Sequence, residues 1–93
     1  MQRFLAVHSI PAGTSEADFR ATLERVAEAA DRVGVDVMET LFNIQEGRAW
    51  SVFEAANEEE VREVADLAGL PAPEVHRAEI VYTELLSEPR RAR

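Results

Sequence analysis

The chain has 93 residues, 46% of them hydrophobic and 30% charged, with only 4 Gly and 4 Pro, which means one small domain with a core and excludes a disordered or fibrous chain. It has no cysteine and all 10 basic residues are arginine, excluding disulfides, thiolate metal sites, a cysteine nucleophile, a Schiff-base lysine and a P-loop lysine. A formal charge of -8 argues against nucleic acid or an anionic membrane as partner, and is compatible with a cation.

Phe4 to Ile10 is apolar-rich and Pro11-Ala12-Gly13 breaks it, so a strand and then a loop are expected. Ser15 with Asp18 three residues on fits a capping box. Phe19, Leu23, Val26, Ala27, Ala30 and Val33 then recur at helical spacing, with charged residues between them, and Gly34 supplies a left-handed stop. Val35 to Ile44 and Arg48 to Ala55 read as a hairpin. With Glu46-Gly47 as its two-residue turn, Asn43 faces Trp50, Leu41 faces Val52 and Glu39 faces Glu54. The other face carries Ile44, Phe42, Phe53, Met38 and Ala55, which are more apolar and belong under the helices.

Asn57 opens a second helix, with Glu58, Glu59 and Glu60 at its positive end and Asn57/Glu60 repeating the capping box. Val61, Val64, Ala65 and Ala68 form its apolar stripe, and Gly69 and Leu70-Pro71 end it. Val75 to Leu85 reads as the last strand. Residues 1–86 thus make one domain, and Ser87 to Arg93 make a basic tail, where Arg90, Arg91 and Arg93 outweigh Glu88. The start, Met1 to Ile10, lacks a signal peptide's apolar segment and no run is long enough for a membrane span, so a cytoplasmic location is expected.

The order βαββαβ implies an α+β, ferredoxin-like arrangement: a four-stranded antiparallel sheet in the order 4-1-3-2, with both helices on one face. The helix-free face would display Trp50, Val52 and Leu41. An apolar sheet face does not stay bare in water, so a homodimer paired through this face is expected.

Glu39 opposite Glu54 is the most informative pair, because like charges across a ladder repel unless a proton is shared or a cation bound. The plainer alternative is two rim glutamates paired with arginines such as Arg3 or Arg77. His8 and His76 fall at one end of the 4-1-3-2 sheet, and two imidazoles with a carboxylate would suit zinc, nickel or copper. Ordinary strand-end histidines are the alternative. The acidic run Glu58, Glu59, Glu60, Glu63 and Asp66 reads as a solvated helix face. Trp50 reads as dimer packing or a pocket wall, and Tyr82 as a lone possible proton donor beside them. No serine nucleophile motif and no phosphate-binding glycine loop is present.

Phe4-Leu5-Ala6-Val7-His8, the Pro11-x-Gly13-Thr14 turn, Val52-Phe53-Glu54-Ala55-Ala56-Asn57-Glu58-Glu59 and Ala68-Gly69-Leu70-Pro71 together resemble small nickel-binding, nickel-responsive ferredoxin-like proteins known from actinobacteria. The resemblance runs from about residue 3 to residue 82 through short motifs. It implies a ferredoxin-like homodimer and bound nickel or another divalent transition metal. His8 and Glu54 match positions where the family places a histidine and an acidic residue. Ala6 and Val7 stand where relatives carry an acidic residue, and Val64, Leu67 and Ala68 where they carry a second-helix histidine. His76 and Glu39 are the substitutes that their expected placement offers.

The resulting expectation is a metal-binding sensor or buffer with ligands His8, Glu54, His76 and Glu39, and an interface of Trp50, Val52, Leu41 and Tyr82. The rival readings are a dimeric α/β-barrel enzyme, of monooxygenase or isomerase type, acting on a small hydrophobic substrate, and a bare dimerisation module.

Overall fold

The computed structural model describes residues 1–81. Six elements follow in order: β1 (Gln2–Ser9), α1 (Glu16–Val33), β2 (Asp36–Asn43), β3 (Arg48–Ala55), α2 (Glu58–Leu67) and β4 (Glu74–Ala78). The sheet runs β2-β3-β1-β4, the expected 4-1-3-2 order read from its other edge, and every neighbouring pair is antiparallel.

Local chemistry sets the helix ends. The Ser15 hydroxyl accepts the Asp18 N–H at 3.0 Å, capping α1. At its far end Gly34 adopts φ +89°, so the N–H groups of Gly34 and Val35 both return to the Ala30 carbonyl. Asn57 caps α2 by accepting the Glu60 N–H at 3.0 Å. The Glu60 carboxylate reaches back to the Ala56 N–H at 2.8 Å, one residue before the position a capping box uses.

The core lies between the helices and one sheet face. Phe4, Ala6, Phe53, Ala55 and Val75 project from the sheet against Val26, Ala29 and Ala30 of α1, Val61 and Val64 of α2, and Ala68 at its C-cap. Ala27, which the spacing placed on the buried stripe, is exposed, and Ala29 takes that place.

Three boundaries differ from the sequence expectation. In the hairpin, Asn43 pairs with Arg48, Leu41 with Trp50 and Glu39 with Val52. The turn is longer than two residues because the Asn43 side-chain oxygen captures the Glu46 N–H at 3.0 Å, and Gly47, at φ +71°, closes it. The register therefore moves by two, which preserves the faces. A bulge between Val37 and Glu39 then moves Asp36 opposite Glu54 and turns Met38 out to 41% exposure, so Val37, not Met38, packs on the core. Finally, β4 ends at Ala78, because Ala78 pairs with Arg3 and β1 has almost no residues left to pair. Leu85, Tyr82 and the tail 87–93 lie outside the described residues.

Candidate functional site

β1 determines where its histidine faces. Phe4, Ala6 and His8 alternate onto the helix side, as the burial of Phe4 and Ala6 establishes. His8 pairs with Ala49 of β3 and stands half-buried beneath the helices. Burial alone pushes its imidazole below the usual histidine range, so it is neutral at pH 7.

His76 is elsewhere. Its neighbour Val75 is buried opposite Ala6, so His76, opposite Leu5, takes the helix-free face. There its Nε2 lies 3.1 Å from the Glu74 carboxylate, exposed at the sheet edge. The two histidines thus flank opposite sides of the sheet. Adjacent strands do bring the ends of β1 and β4 together, but strand alternation sends their imidazoles apart.

Glu54 lies on the helix-free face with Trp50 and Val52, and its Oε2 accepts from Arg3 Nη2 at 3.0 Å. Glu39 shares that face but sits opposite Val52 on the outer strand. The expected Glu39–Glu54 repulsion is therefore absent, and an arginine neutralises Glu54. Trp50 and Val52 are half-covered by neighbouring side chains, whereas Leu41 is 57% exposed.

The concave site is on the helix side. A cleft of about 410 Å³ opens between the end of β1, the Pro11–Thr14 loop, α1, and the Gly69–Pro71 turn after α2. His8 lines it together with Ile10, Phe19, Leu23, Val26 and Leu70. Its further polar residues include Asp18, Thr22 and Arg25, spaced along one stripe of α1, and Ser51 of β3. Ser51 is 1% exposed, and its hydroxyl is hydrogen-bonded to that of Thr40 at 2.9 Å. Arg25 bridges the helices: its Nε donates to the Ala68 carbonyl and its Nη2 to the Thr22 hydroxyl, both at 3.3 Å. A second hollow of about 230 Å³, holding Arg48 and Glu74, shares His8, Ser9, Leu70 and Pro71 with the first.

Sequence reasoning missed Ser51, Thr22, Arg25 and Asp18 as site residues. The parity of Phe4, Ala6, His8 and Ile10 was the available signal that His8 faces the helices. Nothing in the spacing shows that α1 and α2 part enough to leave a cleft.

A chelated transition metal needs several donors around one point. Among the described residues no three His, Asp or Glu side chains gather in that way. His8 and Asp18 border the same cleft, while Glu39, Glu54 and His76 lie across the sheet. The donors described in one subunit do not fit a chelated divalent ion.

Comparison with known proteins identifies the scaffold. The family described as "Nickel responsive protein SCO4226-like" matches residues 4–78, and the chain belongs to it. The crystal structure of SCO4226 from Streptomyces coelicolor A3(2) is similar at TM-score 0.77 and 19% identity, over 86% of this chain and 99% of that one. The 30S ribosomal protein S6 of Thermotoga maritima is similar at TM-score 0.57 and 14% identity, over 98% of this chain and 96% of its own. The P2 domain of the Thermotoga maritima chemotaxis kinase CheA, solved with CheY, is similar at 0.54 and 15%, over 83% and 98%. At these identities the structural likenesses establish the fold alone. No curated protein sequence matches significantly.

Proposed function

From membership of that nickel-responsive family, we propose that this chain is a non-catalytic sensor or buffer, with His8 as the side chain that meets its ligand, and that it works as a homodimer. The observation that carries the reading is His8 itself. It is a neutral imidazole held by a rigid strand at the mouth of the cleft, where either a cation or a hydrogen-bonding ligand can use its lone pair. Ser51, the buried hydroxyl beside it, is tied to Thr40. Among the described residues that hydroxyl is bonded to Thr40 and not to His8, which favours binding over catalysis.

With so few protein donors at His8, a divalent ion there is held weakly and with water completing its shell. Calorimetric titration with nickel and zinc tests this. Weak binding that disappears in His8→Ala supports it. A flat titration of the wild type ends the metal reading, and tight binding that survives His8→Ala moves the metal to other residues.

The homodimer rests on the helix-free face. Leu5, Val7, Leu41, Trp50 and Val52 adjoin there in register, inside a rim of ionic side chains that includes Arg3, Glu54, Glu74 and His76. An apolar centre with a charged rim is how interfaces between subunits are built. Arg3 Nε is buried on this side without a hydrogen-bond partner, a donor that a second subunit's carbonyl or carboxylate would satisfy. Sedimentation equilibrium of the wild type decides it, and a single species of one-chain mass would overturn the pairing.

A further inference from the structure

The cleft beneath the helices is built for more than an ion. At about 410 Å³ it falls in the range of small-molecule sites, and most of its wall is apolar. A hydrated cation has no use for Leu23 and Leu70, the half-buried apolar residues of that wall. An organic molecule does, because removing apolar surface from water is what such a wall rewards.

Its polar groups are asymmetric along α1. Arg25 stands at the end nearest α2 and, among the described residues, pairs with no carboxylate. Its Nε and Nη2 are held by Ala68 and Thr22, which fixes the guanidinium plane, while Nη1 has no hydrogen-bond partner among the described residues. A pre-positioned guanidinium beside an apolar wall matches a carboxylate. Asp18 lies seven residues earlier on the same helix, roughly 10 Å away along its axis. A second negative group at that end would be repelled.

We propose that this cleft binds a small monocarboxylic acid with an apolar body, its carboxylate at Arg25 and its hydrocarbon part against the apolar wall, where Leu23 and Leu70 are only half-buried. The singly charged class follows from the Arg25-to-Asp18 polarity. This inference goes beyond the cation response and stands or falls apart from it.

The test is titration of the full chain in EDTA, which removes any metal contribution, with hexanoate, hexan-1-ol and adipate as probes. Amide NMR shifts and calorimetry are the readouts. Hexanoate is expected to saturate, with shifts gathered at Gly13, Thr22 and Gly69. Hexan-1-ol, lacking the charge, and adipate, carrying a second one, are expected to bind at least about tenfold more weakly. Arg25→Gln should remove that advantage over the alcohol. Because Arg25 also ties the helices together, the acid/alcohol ratio on the wild type is decisive without the variant. Equal binding of hexanoate and hexan-1-ol, adipate binding as well as hexanoate, or no saturable shift with any probe overturns the proposal.

Discussion

The two faces of the sheet solve the same problem differently. Beneath the helices, Phe53, Ala55, Phe4 and Ala6 are almost entirely removed from water, and their neighbours on α1 and α2 are small or β-branched residues that pack closely. On the other side, Trp50, Val52, Leu5 and Val7 are only half-covered, by one another and by the charged rim. One strand supplies both: in β3, Ala49, Ser51, Phe53 and Ala55 point inward while Trp50, Val52 and Glu54 point outward. The larger aromatic is on the uncovered side. The inner face thus carries the stability of the single chain, and the outer face has apolar surface still to bury.

The largest break in that comparison is Phe53→Ala. A fully buried phenylalanine deleted from a small core should cost about 3–5 kcal/mol, read as a lower urea midpoint. Trp50→Glu should instead leave the fold in place and act on association, shifting sedimentation toward the single chain. A Trp50→Glu chain that sediments like the wild type would remove the distinction between the faces.

Smaller effects sharpen it at the helix side. Asn57→Ala removes the α2 cap and should cost about 1 kcal/mol, visible as a lower Tm. His8 gives a pH signature with a defined sign. Its folded imidazole resists a proton that the unfolded chain accepts, so stability should fall as pH drops below about 6.5. His8→Gln should flatten that part of the pH profile. The smallest effect is expected at Glu54→Gln. Its ion pair with Arg3 is partly exposed, so no more than about 1 kcal/mol should be lost.

The candidate site was less legible than the fold for a geometric reason. The expected ligand set treated strand order as proximity. His8 and His76 do lie on adjacent strands, yet a side chain's face depends on the parity of its position, and the two parities are opposite. The Glu39–Glu54 pair failed through the turn: Asn43 made the connection longer than Glu46-Gly47 alone, and each cross-strand partner moved by two. The bulge at Met38 compounded this, because the extra residue shifts the alternation by one and Val37 and Met38 are both apolar.

Local preferences fixed much of the rest. The caps at Ser15 and Asn57, the left-handed stop at Gly34, the stripe Val61-Val64-Ala65-Ala68 and the βαββαβ order all follow from short-range sterics and hydrogen bonding, which neighbours in the chain decide among themselves. The pairing of β1 with β3 and β4 and the cleft spanned by Arg25 depend on residues distant in sequence. Long-range packing chooses among arrangements that are locally equivalent, so those features exist only once the sheet and helices are assembled.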